Sequence, residues 1–411
     1  MDNNQNKVQE NLDNFSWYYK GFFDWVNLIY YERDNVTKRI TYEGRINDLN
    51  DRQVILKIIK INDDKGFELL KEPYFLACLK NNRYFIEIVD LFPSKKPDKD
   101  SANSSEDDLS SHRFSEPMRK ALSSKDSSFF NIILRNEGID LNIFICYYNQ
   151  ILGMDYNVLI PNISRYIIFQ VVCGLQILHQ KGLTHNDIKP KNIVINNKCE
   201  VKICDLGSTD INNTVEDIGT LGYLSPQAMA KNKRNMEDDM YAVGIVFLEL
   251  LNRQIGIFLK DLPKGSSKKQ LLYIIYHFYD ISFLEENSNE QTRNNIIYNS
   301  IKQGKYDHID FKLKEDIFIP NEDEKNKELI KNLLEVNPSK RMKAEEVINL
   351  PIFKNLNFEF EKSNVDMKYY KEDYEKYFKS SNEFNDNIFR EYIEDIREKI
   401  FGKKLIEEKS K

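Results

Sequence analysis

Glycine is scarce in this chain. There are 15 in 411 residues, and none lies between Gly21 and Gly44. A loop that wraps its backbone amides round a phosphate needs residues without side chains, so that interval cannot hold one of the glycine-rich kind. Cysteine is also scarce and odd in number. Cys78, Cys146, Cys173, Cys199 and Cys204 make no CxxC pair, which excludes a disulfide framework and a cysteine zinc site. They are expected to be buried or half-buried free thiols in a reducing compartment. Of the five histidines, His112, His179, His277 and His308 show no metal spacing. No apolar run reaches the ~18 residues of a membrane helix. The richest stretch, Phe15 to Tyr31, is broken by Lys20, Asp24 and Asn27. Residues 1–14 are polar and lack the apolar core of a secretory signal. Excess positive charge is missing too: the net charge is −6, whereas a nucleic-acid binder usually presents a basic face. The expectation is an intracellular protein, cytoplasmic or nuclear, with no membrane span and no nucleic-acid partner.

Apolar residues are plentiful, at 41%, and the length suggests two or three folding units. Strand signals come first. Residues 36–60 are β-rich, with partial alternation from Arg39 to Ile46 and the run Val54-Ile55-Leu56-Lys57-Ile58-Ile59. Residues 66–80 predict a helix; Phe85 to Phe92 and Phe129 to Leu134 predict strands. Residues 93–128 turn to Ser, Lys, Asp and Pro and predict a disordered, low-complexity insert. Its serines fit an inert solvated loop, with phosphorylation sites as the alternative. After Arg135-Asn136-Glu137-Gly138, a hinge signal, helices dominate. Ser164 to Gln180 carries Ile167, Val171, Val172, Leu175 and Leu178 at helical spacing and ends near Gly182, a natural C-cap. Met240 to Leu251 reads as a buried helix, and residues 268–285 and 323–350 carry further helices. Asp386 to Phe401 sets Phe389, Ile393, Ile396 and Ile400 on one face. That stripe fits packing on its own domain, with partner docking as the alternative. The expected division is a polar tail at 1–14, a β-rich unit at 15–137, a helical unit at 138–355 and a helical extension at 356–411.

The chemistry sits in Thr184-His185-Asn186-Asp187-Ile188-Lys189-Pro190-Lys191-Asn192, followed by Asp205-Leu206-Gly207. Phosphoryl transfer from a nucleotide needs a carboxylate to accept the proton of the attacking hydroxyl. It also needs a second carboxylate and an amide oxygen to hold Mg²⁺ against the phosphates. Asp187, Asp205 and Asn192 can fill those roles, and Lys189 can neutralise charge on the moving phosphoryl group. The set resembles the eukaryotic protein kinase signature, with H-N-D for H-R-D and D-L-G for D-F-G. Gly219-Thr220-Leu221-Gly222-Tyr223-Leu224-Ser225-Pro226-Gln227 is similar to the G-T-x-x-Y-x-A-P-E end of a serine/threonine kinase activation segment. Asp239 with Tyr241 and Gly244, and Asn337-Pro338-Ser339-Lys340-Arg341, resemble later motifs. The resemblance covers about residues 30–355.

It implies an α+β fold in two lobes: a small antiparallel sheet with one main helix, then a larger, mainly helical lobe. It implies ATP and Mg²⁺ as cofactors and a protein substrate. Asp187, Lys189 and Thr220 are the implied catalytic set, with Thr220 bonding Asp187 and Lys189. Lys57, Glu72, Ile55, Val194, Asn192 and Asp205 are implied to bind the nucleotide, and Asn192 and Asp205 the metal. Lys57 would grip the phosphates and Glu72 would orient it, with Glu68 as the alternative. Asp239 would anchor catalytic-loop amides, Arg341 would face Gln227, and His185 would pack rather than act as a base.

The departures are as informative. The expected nucleotide loop, about Arg33 to Arg39, has no glycine, though Lys38 or Arg39 offers compensating charge. Ile55 replaces the usual alanine and narrows the purine slot. Pro73 restricts Glu72 to a helix start or kink. Asn186 replaces the arginine that pairs with a phosphorylated activation loop. Phosphorylation of Thr214 should therefore matter little, with Glu216 and Asp217 helping to order the segment. Gln227 offers Arg341 a neutral acceptor and should loosen the helical lobe modestly. Lys191 should disfavour basic peptides. Three readings follow: an active serine/threonine protein kinase; a pseudokinase scaffold with weak or no ATP turnover; and a small-molecule kinase, which the Gly219–Gln227 platform disfavours.

Overall fold

The computed structural model describes residues 23–33, 38–46, 52–60, 71–94, 129–145, 156–212, 219–231, 233–283, 289–306, 309–318 and 322–354. They fall into two compact units. The first draws on residues 23–82 and 86–136, the second on 83–85 and 137–354.

The first unit is a five-stranded antiparallel sheet with a helix. Its strands are β1 (Phe23–Arg33), β2 (Lys38–Ile46), β3 (Arg52–Lys60), β4 (Ile88–Ser94) and β5 (Phe129–Arg135), in the order β1-β2-β3-β5-β4. Helix α1 spans Lys71–Cys78. The β-branched run makes β3 the central strand. Val54 and Leu56 are buried and Ile55 and Lys57 half-buried, the alternation that a pleated strand imposes. Val54, Leu56, Leu91, Ile132, Ile133 and Leu134 form the core. Lys57 pairs across to Thr41 on one side and Ile132 on the other.

Two expectations are corrected here. The strand expected over Phe85–Phe92 is β4, Ile88–Ser94; Phe85 instead bridges Ile203 in the second unit. The insert expected over 93–128 starts later, because Pro93 and Ser94 still pair with Phe130 and Phe129. β4 is an edge strand, where proline costs no ladder bond. The remaining insert residues, 95–128, lie outside the described residues.

The second unit opens with β6 (Ile139–Asp140) and helix α2 (Tyr156–Gln180). Next come β7 (Leu183–Thr184), β8 (Ile193–Ile195), β9 (Val201–Ile203) and β10 (Asp210–Ile211). β6, β8 and β9 form one small sheet, and β7 pairs with β10. Then follow α3 (Pro226–Lys231), α4 (Met236–Leu251), α5 (Arg253–Lys260), α6 (Ser267–Phe278), β11 (Tyr279–Phe283), α7 (Glu290–Gln303), β12 (Ile309–Leu313), α8 (Glu324–Leu333) and α9 (Ala344–Ile348). The core lies between α2 and α4. The five apolar residues that marked α2 are all buried, and so is every residue of α4 from Asp238 to Leu251. Each such aliphatic side chain contributes about 1.5–3 kcal/mol. At the start of α4 the Asp238 carboxylate accepts from the backbone N–H of Asn235 at 2.8 Å, one arm of a capping box.

α2 begins at Tyr156 rather than Ser164, because the helix runs through Pro161, which reads as a loop residue in sequence. The helix expected over 268–285 ends at Phe278. Tyr279-Asp280-Ile281-Ser282-Phe283 alternates and pairs antiparallel with Ile309–Leu313. Local apolar content could not separate helix from strand there, because the partner strand lies far along the chain. No single helix among the described residues is long and apolar enough to cross a membrane. The C-terminal helix expected over 386–401 lies outside the described residues.

Candidate active site

The site is set up by the end of α2. Gly182 takes φ +78 and closes the helix, its N–H bonding His179 O at 3.0 Å. The chain passes through β7 and enters the loop 185–192. One carboxylate of α4 holds this loop from below. Asp239 accepts from the backbone N–H of His185 at 2.8 Å and of Asn186 at 2.9 Å, and meets His179 Nε2 at 3.0 Å. This is the anchoring role assigned to Asp239 from its motif. His185 is buried; its Nδ1 accepts from Asp187 N at 3.2 Å and its Nε2 meets Cys204 O at 3.3 Å. Both ring nitrogens are occupied by backbone, a structural role. Asn186 sits at φ +69 and donates from Nδ2 to Ser208 O at 2.8 Å.

Asp187 is the centre of a closed side-chain network. Its Oδ2 accepts from Lys189 Nζ at 2.7 Å and from Asn192 Nδ2 at 3.0 Å, and its Oδ1 accepts from Thr220 Oγ1 at 2.7 Å. Lys189 Nζ also donates to Thr220 Oγ1 at 2.7 Å. Asn192 Nδ2 further donates to Asp187 O at 2.8 Å. The structure therefore brings Asp187, Lys189, Asn192 and Thr220 together, though Thr220 lies far along the chain. The Asn192 amide nitrogen is committed to Asp187, which leaves Oδ1 as the oxygen able to meet a cation. Asp205 takes a left-handed conformation, φ 60 and ψ 68, between β9 and a 3₁₀ turn at Leu206–Ser208. A carboxylate and an amide oxygen, completed by phosphate oxygens and water, fit what Mg²⁺ requires. Val194 is half-buried on β8, opposite Lys202 and Asp140.

Within the first unit, Lys57 Nζ donates to both oxygens of Glu72, at 2.6 and 2.8 Å. Pro73 follows Glu72 inside the first turn of α1 as described, where proline is tolerated, so it leaves the pair intact. The alternative, Glu68, lies outside the described residues. Ile55 shares the half-buried face of β3 with Lys57. β1 and β2 pair as far as Arg33 and Lys38. Their connection is thus residues 34–37, a shorter stretch than the expected Arg33–Arg39.

The platform after Thr220 is held by buried polar pairs. Arg341, 2% exposed, donates from Nη2 to Gln227 Oε1 at 3.0 Å, the expected neutral contact. It also donates to Glu335 O at 2.8 and 2.9 Å and to Glu237 O at 2.8 Å, and lies over the Tyr241 ring. Gln227 Nε2 donates to Val336 O. The guanidinium is thus saturated by carbonyls rather than by one carboxylate. Sequence reasoning missed Asp238 and Glu249 here. Asp238 accepts from Ser225 Oγ and lies 3.7 Å from Arg341 Nη1. Burial pushes its carboxyl above the usual range, against the pull of Arg341. Tyr223 OH donates to the buried Glu249 at 2.8 Å, and burial raises the Glu249 carboxyl too. No motif spacing marks Asp238 or Glu249, because the partners they hold, Ser225 and Tyr223, come from a different segment.

Residues 147–353 match the protein kinase domain family. This chain belongs to the eukaryotic-type serine/threonine protein kinase family. The kinase domain so identified contains the whole Asp187 network. Among curated relatives, it is 29% identical over 203 residues to extracellular signal-regulated kinase 1 of Dictyostelium discoideum, covering 47% of this chain and 36% of that protein. It is 28% identical over 265 residues to mitogen-activated protein kinase 15 of Oryza sativa subsp. japonica, covering 57% and 50%. It is 25% identical over 227 residues to mitogen-activated protein kinase HOG1 of Cochliobolus heterostrophus, covering 50% and 58%. The chain therefore spans less than two thirds of the length of these relatives.

Proposed function

We propose that this chain transfers a phosphoryl group from Mg·ATP to serine or threonine hydroxyls of protein substrates. The carrying observation is the Asp187–Lys189–Asn192–Thr220 network, which presents one carboxylate, one ammonium and one amide in fixed positions. Asp187 accepts the proton of the incoming hydroxyl, and Thr220 and Lys189 hold its two oxygens in register for that step. Lys189 neutralises charge on the transferring group. Asn192 and Asp205 hold Mg²⁺, which when bound would offset phosphate charge. Lys57, kept extended by Glu72, binds the phosphates, and Ile55 and Val194 line the purine. Lys191 is exposed and repels basic peptides, so the substrate is neutral or acidic around its target. An arginine-rich preference on a peptide array would overturn that last point. The setting is intracellular.

The test is transfer of labelled phosphate to serine/threonine peptides. Wild type should be active, and Asp187→Asn and Asp205→Asn should each lose about 100-fold or more. Transfer that survives in Asp205→Asn would sink the assignment.

A second reading, a scaffold with little ATP turnover, is favoured by the glycine-free β1–β2 connection at residues 34–37. Mg·ATP would then leave the melting temperature unchanged, whereas an ATP-binding enzyme is stabilised by mass action.

A further inference from the structure

Arg234, between α3 and α4, is 2% exposed. In sequence it belongs to the basic run Lys231-Asn232-Lys233-Arg234, which reads as a solvated surface. Instead it lines a small cavity of about 10 Å³ together with Asn186, Asp187, Thr220, Leu224 and Asp238. Guanidinium does not deprotonate in a protein, so a permanent positive charge stands beside the catalytic loop. A buried charge is tolerated only when countered. One counter-charge is Asp238, whose carboxyl Arg234 and Arg341 both pull down against the effect of burial. Asp238 in turn accepts from Ser225 Oγ and, at 2.8 Å, from Asn235 N. At the other end the guanidinium lies beside Gly219. A Cβ built on Gly219 would stand 3.6 Å from Arg234 Nη2, 2.7 Å from Asn186 O and 2.8 Å from Leu224 Cδ2. Gly219 is held at φ +103, so this close approach needs glycine.

The two ends of the segment 219–225 thus lie near one cation: Gly219 packs beside Arg234 Nη2, and Ser225 bonds Asp238, whose carboxyl feels the Arg234 charge. Between them sits Thr220, whose hydroxyl reaches Asp187 and Lys189. We propose that Arg234 is a positioning residue: an internal, permanent cation that clamps Gly219–Ser225 on the catalytic loop and so seats the Thr220 hydroxyl on Asp187 without an added phosphate. Asn186, which offers that segment no charge, and Arg234 line the same cavity. This rests on the phosphotransfer reading for its kinetic consequence, but not for its structural one.

The experiment compares wild type, Arg234→Gln, Arg234→Lys, Thr220→Val and the Arg234→Gln/Thr220→Val double variant of the full chain. Arg234→Gln should lower kcat about 10- to 100-fold, with KM for ATP within about twofold. Arg234→Lys should recover part of the loss. The double variant should be no worse than Thr220→Val, since both act through one hydroxyl. Amide hydrogen exchange over 219–224 should quicken about tenfold in either Arg234 variant while α4 stays protected. Unchanged kcat, losses that multiply in the double variant, or exchange that rises uniformly would each overturn the proposal. If Arg234→Gln does not fold, Arg234→Lys decides by the same exchange and kinetic readouts. A wild type that transfers no phosphate ends the phosphotransfer reading alone, and the exchange measurement still judges the clamp.

Discussion

The carboxyl groups of Asp187 and Glu249 are held in different ways. Asp187 is half-buried and satisfied by three side-chain donors. Glu249 is buried with Tyr223 OH as its donor and Lys260 as an attracting charge. Burial outweighs both partners and raises its carboxyl, so the folded state takes up that proton at higher pH than the unfolded chain. Its contribution to stability is therefore present at low pH and lost as pH rises through the folded value. Glu249→Gln keeps an acceptor for Tyr223 and removes the charge. Its melting temperature should exceed that of wild type at pH 8, by about 2–4 °C for each kcal/mol relieved. The gap should close toward pH 5, and equal melting curves across that range would refute the burial argument. Glu72→Gln should behave differently. It leaves Lys57 one neutral acceptor in place of a bidentate carboxylate. A charge-assisted bond contributes about 1.5–3 kcal/mol, so the melting temperature should fall by several degrees at every pH from about 5 to 8, and kcat/KM for ATP should fall with it.

Packing between elements sets a second class of consequence. α4 is the central helix, and Gly244 lets α8 approach it. A Cβ there would stand 2.7 Å from Leu334 Cδ2 and 2.9 Å from Leu333 Cβ. Gly244→Ala improves helix propensity by about 1 kcal/mol but overpacks this contact at about 1–3 kcal/mol. The net is a loss, read as a lowered urea midpoint; a gain in stability would mean that α8 yields easily. Element identity was legible where one period dominated. The β3 run and the apolar faces of α2 and α4 were readable because burial of a single stripe produces them. β11 and the tail of β4 were not, because a strand's evidence is its partner. Tyr279–Phe283 needed Ile309–Leu313, and Pro93-Ser94 needed Phe129-Phe130. Composition near an insert hides such pairs.

At the scale of the molecule, Arg341 joins segments that are distant in the chain: Gln227, Glu237 and Glu335 all accept from it. Arg341→Met should leave Asp238 buried without this cation and Glu237, Glu335 and Gln227 short of a donor. Breaking such a network costs about 3–5 kcal/mol, visible as a large fall in melting temperature; a fall of only a degree or two would show that Arg234 alone balances Asp238. Gln227→Glu should raise stability slightly or leave it unchanged, because the guanidinium is already saturated. The expected loosening from Gln227 is thus offset by carbonyl acceptors that no motif encodes. Local order in the chain determined the chemistry of this protein. The spacing of Asp187, Lys189, Asn192 and Asp205 names the reaction parts, since those residues lie within one loop and its following turn. Only the tertiary structure decided what holds those parts in place. Thr220, Asp239 and Glu72 were expected from motif analogy, and their distances came from folding. Arg234, Asp238 and Glu249 carried no sequence signal at all, because burial creates their role and burial belongs to the packed chain, not to the residue.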